Sequence, residues 1–418
     1  MAISTAENNK SAIRSDWVAT EAIRCLNCFD PPCQKACPAA IPIPEFIYSI
    51  KSGNLRYAAK LVREANPVVA ICGAVCPEEI FCQSACTRSK IDRAINIREL
   101  HGFASTHETV LKNKSESGAS KIAIIGAGPA GLSAATKLAD AGYKITIFDK
   151  HSHIGGVPNS SIPKFRLSDE IIGLDIGYAE NLGIEIKLNN AIDDPSILLN
   201  DFDAVLIAAG LNLNRRPDIK GEMLPEVTDA ITFLEQARSG KIKELNDKRV
   251  AVIGGGNVSL DVAATAASLG ASETRLYYRR GPAEMKVWRS ELAEAQKRGI
   301  IIEYLTAPVE IMGEGGEIEA VQCARVELDS RCDSSGRRIP RLIRGSEFMT
   351  HADLVITAIG LSSDFAEDIK ANSDLSTNVP GIFAAGDWAR GEGTIVEAVR
   401  DGKFAAQSII NYLKEKSK

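Results

Sequence analysis

Ten cysteines occur in 418 residues, and eight of them fall before residue 90. The first group reads Cys25-x2-Cys28-x4-Cys33-x3-Cys37-Pro38; the second holds Cys72, Cys76-Pro77, Cys82 and Cys86. Thiolate is a soft, charged donor that suits zinc or an iron–sulfur core. Structural zinc usually takes two spaced cysteine pairs. Here the density is higher and two Cys-Pro steps occur, as in runs where a close trio holds one cubane cluster and the cysteine before proline ligates another. The spacing favours iron–sulfur over zinc or plain structural thiols, and the chemistry would be one-electron transfer.

Two glycine loops point to phosphate binding. In Lys121–Lys150 an apolar run, Ile122–Ile125, leads into Gly126-x-Gly128-Pro129-Ala130-Gly131, then a helical pattern, a second strand Lys144–Phe148 and Asp149-Lys150. Gly126 makes the tight turn, Gly128 admits a pyrophosphate, and Gly131 lets the helix lie close to the sheet. Asp149 is placed for ribose hydroxyls. The pair Gly155-Gly156 would let a cofactor pass close to the chain, and Arg166, in the stretch Ile162–Arg166 that follows, is counted with the cofactor-binding residues. His151 and His153 read as solvent-facing turn residues.

The second loop, Gly254-Gly255-Gly256-Asn257, follows a strand at Arg249–Ile253 and precedes a helix at Val258–Leu269. The next strand, Thr274–Tyr278, ends in Arg279-Arg280 instead of an acid. An acid there favours a free ribose hydroxyl and arginine a 2′-phosphate. The first site thus suits FAD and the second NADPH, with NADH left open because surface arginines are common. Near the end, Gly386-Asp387 closes a strand, and a helix opening at Gly393-Thr394 can aim its amides at a flavin's pyrophosphate end.

These residues need two strand–loop–helix units. Further strands at Ala204–Ala208, Leu354–Gly360 and Val379–Asp387 require one unit to be inserted in the other. Before them, Pro44–Ala65 predicts two helices broken near Gly53, and Lys112–Ser120 reads as a linker. The expected domains are 1–118, a helical cluster domain; 119–214 with 358–418, an FAD domain; and 215–357, an NAD(P)H domain.

A formal net charge of −5 gives no reason to expect nucleic acid or an anionic membrane as partner. No apolar stretch approaches a bilayer span, and the first residues, MAISTAENNKSAIRSDW, lack a signal core, so a cytoplasmic protein is expected. No acid or nucleophile stands out as a catalytic residue. The nucleotide units contain no Cys-x-x-Cys, so disulfide reduction has nothing to work with, and Cys323 and Cys332 are read as structural.

Taken together, the GAGPAG and GGGNVSLDVA units, the FAAGDWARGEGTIVEAV ending and the cysteine block resemble the electron-entry half of dihydropyrimidine dehydrogenase, whose bacterial form has a separate small subunit of similar length. The glutamate synthase small subunit shares the architecture and is the alternative. The resemblance implies an α/β two-dinucleotide-binding-domain flavoprotein, Rossmann-like, with an N-terminal α-helical double [4Fe-4S] domain. It implies that Cys25, Cys28, Cys33 and Cys86 hold one cluster and Cys37, Cys76 and Cys82 the other, with Cys72 a buried thiol. The family completes its second cluster with Gln or Glu at the position of His101, and nearby Glu99 is the competing ligand. The implied activity is oxidation of NADPH or NADH at FAD. Electrons would then go singly through two clusters to an FMN-containing partner in a hetero-oligomer, which reduces uracil or thymine to the 5,6-dihydropyrimidine.

Overall fold

The structure, a computed structural model, describes residues 16–107, 120–211, 213–314, 317–363 and 365–416. The N-terminal stretch up to residue 15 and the expected linker, save Ser120, lie outside the described residues. The chain forms two compact units. One holds residues up to Asn159, Phe165–Leu211 and those from Ser363 on; the other holds Ser160–Lys164 and Asn212–Ser362.

In the first unit, five strands run parallel in the order Ile382–Ala384, Ala204–Ile207, Lys121–Ile125, Lys144–Phe148, Glu185–Lys187. The three central strands are apolar and buried almost throughout, as a sheet covered on both faces demands. The strand Ile382–Ala384 comes from beyond the inserted unit and completes the edge beside Ala204–Ile207. Helix Pro129–Asp140, with proline at its start, packs on the 22-residue helix Ile395–Lys416. They meet closely at Gly402, where an added Cβ would sit 2.2 Å from the Ala130 carbonyl oxygen. Ser133 Oγ also donates to the Val399 carbonyl at 2.9 Å.

The cysteine-bearing segment is helical and belongs to this same unit. Helices Ile43–Lys51 and Leu55–Ala65 are parted by Gly53 in a left-handed conformation (φ 76°) and by Asn54, whose side chain caps the second helix at the Tyr57 amide. Helices Val69–Val75 and Ile97–Ser105 cross glycine to glycine: a Cβ on Gly73 would lie 2.5 Å from the Gly102 Cα. Lys403, from the long helix, reaches into this segment and donates to the carbonyls of Ala39 and Ala65 at 2.9 and 3.1 Å.

The second unit carries its own five-stranded parallel sheet, ordered Val227–Asp229, Leu354–Ala358, Arg249–Gly254, Glu273–Tyr278, Ile301–Tyr304. The strand expected at Leu354–Gly360 therefore ends at Ala358 and lies inside this sheet. An antiparallel sheet of Thr306–Glu314, Glu317–Cys332, Arg338–Leu342 and Phe348–His351 is added to it. Two short strands, Leu213–Asn214 and Leu361–Ser362, pair antiparallel where the chain enters and leaves the unit. Among the described residues no helix is long and apolar enough to cross a membrane.

Candidate functional site

The first glycine loop has the geometry of a phosphate cradle. Gly126 (φ 109°) has no room for a side chain, since a Cβ would stand 2.3 Å from the Ala208 carbonyl oxygen, and one on Gly131 would stand 2.0 Å from that of Gly126. Gly128 is different: its Cβ position meets nothing nearer than the Gly156 Cα at 3.9 Å. That opening, at the start of the Pro129–Asp140 helix with Ala130 in its first turn, is where a pyrophosphate fits. Gly156 (φ 60°) packs against Gly128, and the Gly155 amide donates to the Ala127 carbonyl at 2.9 Å.

Asp149 is buried at the strand end, accepting from the Ala127 amide at 2.7 Å and the His151 amide at 2.8 Å. His151 Nδ1 lies 2.9 Å from the same carboxylate. This contact between His151 and the acid is one that sequence reasoning missed. Burial raises the Asp149 pKa, but the hydrogen bonds from His151 and Ala127 outweigh it and hold the carboxyl below its ordinary value. Lys150 is exposed and Arg166 half-buried.

Gly386 (φ 69°) sits against Ala130, its Cβ position 2.9 Å from the alanine's, and so brings the chain end onto the same loop. Asp387 Oδ1 is buried without a hydrogen-bond partner among the described residues, and desolvation pushes this carboxyl up to about 6. An orphaned acceptor beside the loop fits a hydroxyl-bearing cofactor. Thr394 is committed elsewhere. Its hydroxyl and amide both donate to Glu397 Oε2, at 2.8 and 2.9 Å, and its hydroxyl accepts from the Glu397 amide, a reciprocal cap on the long helix. What that helix offers a ligand is its N-terminus, with the Thr394 side chain already occupied.

In the second unit, Gly255 lies under Tyr278, with a Cβ position 2.1 Å from the ring, while Gly256 has nothing within 4 Å. The open glycine again precedes a helix, Asn257–Ser268. Gly254 is crowded by Ser259 and Ala358, and Asn257 Oδ1 holds the Trp288 amide at 3.0 Å. The paired arginines separate in role. Arg279 is exposed, with no hydrogen bond or ion pair among the described residues. Arg280 is 3% exposed, with Nη2 2.6 Å from Asp333 Oδ2 and Nε donating to the Arg338 carbonyl at 2.9 Å. The expectation that both reach a 2′-phosphate is corrected: Arg280 is buried, with Nε and Nη2 engaged internally.

The thiols form two adjoining sets. Cys28 and Cys86 lie close enough to Cys25 and Cys33 to raise their pKa values, and Cys72, Cys82 and Cys37 do the same to Cys76. Cys82 also feels Cys33, so the sets are neighbours. Desolvation pushes Cys33 up to about 12 and Cys76 and Cys82 well above their ordinary value. Without an ion they are neutral thiols, and a bound metal deprotonates them. A cavity in the second set is lined by four thiols, Cys37, Cys72, Cys76 and Cys82, with Glu78 and His101. His101 is buried there with Nε2 unpartnered, and desolvation first, then the Arg63 charge, lowers its pKa to about 3. A neutral imidazole in a cavity it shares with thiols fits a metal centre.

Glu99 is exposed and is not among the residues that line the cavity. Glu78, missed in the sequence, lines it instead, paired with Arg98 at 3.0 Å, and Arg98 also donates to the Cys76 carbonyl. Cys72 is buried, and it lines the same cavity beside Cys76. Among the described residues no three His, Cys, Asp or Glu side chains converge as a single ion needs; a multi-iron core spreads its ligands more widely. An open cavity of about 580 Å³ is lined at the other end of the first sheet by Lys121, Lys144 and Glu185. It has no part in either loop.

Two family models match the chain: pyridine nucleotide-disulphide oxidoreductase over residues 120–402 and dihydropyrimidine dehydrogenase domain II, 4Fe-4S cluster, over residues 2–113. The NAD-dependent dihydropyrimidine dehydrogenase subunit PreT of Escherichia coli O157:H7 is 34% identical over 94% of this chain and 93% of its own. The glutamate synthase [NADPH] small chain of E. coli K12 is 31% identical over 94% and 91%. The NADP(+)-dependent formate dehydrogenase subunit beta of Moorella thermoacetica is 35% identical over 92% of this chain, which spans only 60% of that subunit. The solved structure of Mycobacterium tuberculosis FprA in complex with NADPH shares the fold, with a TM-score of 0.63 at 21% identity, over 72% of this chain and 86% of that one. The two family models and the relatives covered nearly end to end agree: the chain belongs to the pyridine nucleotide-disulphide oxidoreductase family, as an NAD(P)H-dependent flavin and iron–sulfur oxidoreductase akin to the PreT subunits and glutamate synthase small chains.

Proposed function

We propose that this chain is the electron-entry subunit of a pyrimidine-reducing enzyme. It would oxidise NADPH or NADH and pass electrons to an FMN-containing partner that reduces uracil or thymine to the 5,6-dihydropyrimidine. The observation that carries the reading is the near-complete agreement in length and layout with PreT. Bound FAD supplies conversion between hydride and single electrons, and bound clusters take those electrons one at a time.

The protein's own residues do the holding. Gly128 and Asp387 are assigned to FAD, with Asp149 at the ribose end, and Gly256 and Arg279 to the nicotinamide dinucleotide. Cys25, Cys28, Cys33 and Cys86 are assigned to one [4Fe-4S] cluster; Cys37, Cys76, Cys82 and His101 to a second. The clustered, desolvated thiols and the unpartnered His101 nitrogen support that division.

The test is an anaerobic pull-down of the tagged protein from its own cells, followed by NADPH oxidation assays on the recovered complex. Oxidation that depends on uracil or thymine, with an FMN protein present, establishes the reading. Dependence on glutamine and 2-oxoglutarate moves the protein to the glutamate synthase type, and coupling to formate moves it to the formate dehydrogenase type.

A further inference from the structure

The demotion of Arg280 leaves the second dinucleotide site short of one cation, and the added antiparallel sheet supplies another. We propose that Arg337, on the turn between strands Glu317–Cys332 and Arg338–Leu342, joins Arg279 in binding the 2′-phosphate of NADPH, while Arg280 acts only as the post on which that turn is mounted. The inference rests on the assignment of NADPH to the second unit.

Three observations carry it. The turn is built and anchored: Asp333 Oδ1 accepts from the amides of Ser335 and Arg337 at 2.9 and 3.2 Å, and the Asp333 amide donates to the Arg337 carbonyl at 2.8 Å. The other oxygen of Asp333 takes the buried Arg280 guanidinium, whose Nε holds the Arg338 carbonyl. The Arg338 side chain is in turn tied to Glu284. Residues on both sides of Arg337 are therefore fixed to the end of the Glu273–Tyr278 strand, where Arg279 emerges.

The charges, secondly, do not cancel. Asp333 is taken by Arg280 and Glu284 by Arg338. Arg337 makes only a neutral contact, Nε to the Ser335 hydroxyl at 2.8 Å, among the described residues. Arg279 has no carboxylate partner among them, and Arg280 and Arg337 are close enough to lower its pKa, behind the larger effect of desolvation.

Lastly, two unneutralised guanidiniums from different elements suit a compact dianion, which each can meet with paired N–H donors. A pair of simply solvated surface arginines would have no reason to be held together against their repulsion by an anchor between buried Arg280 and half-buried Asp333.

Calorimetry on the full-length holoprotein tests this with adenosine 2′,5′-bisphosphate and 5′-AMP as probes. Arg337→Gln is expected to weaken the bisphosphate by about tenfold and leave 5′-AMP unchanged, with Arg337→Lys recovering part of the loss. The NADPH/NADH ratio of kcat/KM, with ferricyanide as acceptor, should fall in parallel. A wild-type protein that binds the two probes equally overturns the NADPH assignment itself. If the wild type prefers the bisphosphate and Arg337→Gln keeps that preference within twofold, Arg337 has no such role. Equal weakening of both probes overturns it too, because the turn would then be only structural.

Discussion

Arg63 Nη1 donates to Asp175 Oδ1 at 2.6 Å, and the two side chains are 3% and 1% exposed. Asp175 comes from helix Asp169–Glu180 of the first dinucleotide fold, and Arg63 from helix Leu55–Ala65 of the thiol-bearing segment. The same carboxylate accepts from the amides of Ala70 and Ile71 at 3.1 and 2.8 Å, capping the helix that leads into Cys76. Arg63 also donates to the Pro67 carbonyl and helps keep His101 neutral. One buried acid thus fixes the nucleotide fold to the wall of the second thiol set.

Removing that acid takes a carboxylate from beside a buried guanidinium and leaves a helix end uncapped. Asp175→Ala should lower unfolding free energy by about 3–5 kcal/mol, read by urea denaturation of the holoprotein. Asp175→Asn, which still accepts hydrogen bonds, should lose less. An alanine variant as stable as wild type would show that the pair does not hold the segments together.

The glycine crossing allows a packing test. Gly73→Ala forces the two helices apart at Gly102 and should cost about 1–3 kcal/mol, with a lower iron-to-protein ratio. Gly173→Ala is the control, because that helical glycine has nothing within 4 Å of its Cβ position. It should be neutral or stabilise by up to about 1 kcal/mol.

If His101 completes the second cluster, His101→Ala should reduce iron from about eight to about four atoms per chain, while Glu99→Ala leaves iron unchanged. His101→Cys should restore it. Full iron content in His101→Ala would remove the imidazole from the ligand set.

Asp387 sets a pH dependence. Burial holds its carboxyl at about 6 in the free protein. A cofactor hydroxyl donating to Asp387 Oδ1 favours the ionised form, so FAD retention should fall as pH drops through about 6 and flatten in Asp387→Asn. The sign reverses for the stability of the FAD-free protein. A carboxyl whose folded pKa is raised stabilises below its ordinary value of 3.8 and loses that contribution as pH rises through 6. Flavin fluorescence release between pH 5 and 8 measures the first; a pH-independent release would remove Asp387 from the site.

The sequence by itself determined the glycine loops, the insertion of one nucleotide unit in the other and the clustered thiols, because each is written in contiguous residues. A strand, a turn and a helix start within a dozen positions carry the cradle at Gly126–Gly131 or Gly254–Asn257, and no distant partner is needed to shape it. Only the tertiary structure decided among neighbours. Glu99 and His101 are two residues apart on one helix, so they point about 200° from each other, and the packing at Gly73–Gly102 determines which face meets the thiols. Arg279 and Arg280 are adjacent letters, yet Asp333, 53 residues on, draws one inward and leaves the other free. Thr394 was legible as a helix start, but its pairing with Glu397 occupies the hydroxyl. Asp175 belongs to no motif at all: burial made it consequential, by leaving a charge no partner but Arg63 and the amides of a helix a hundred residues away.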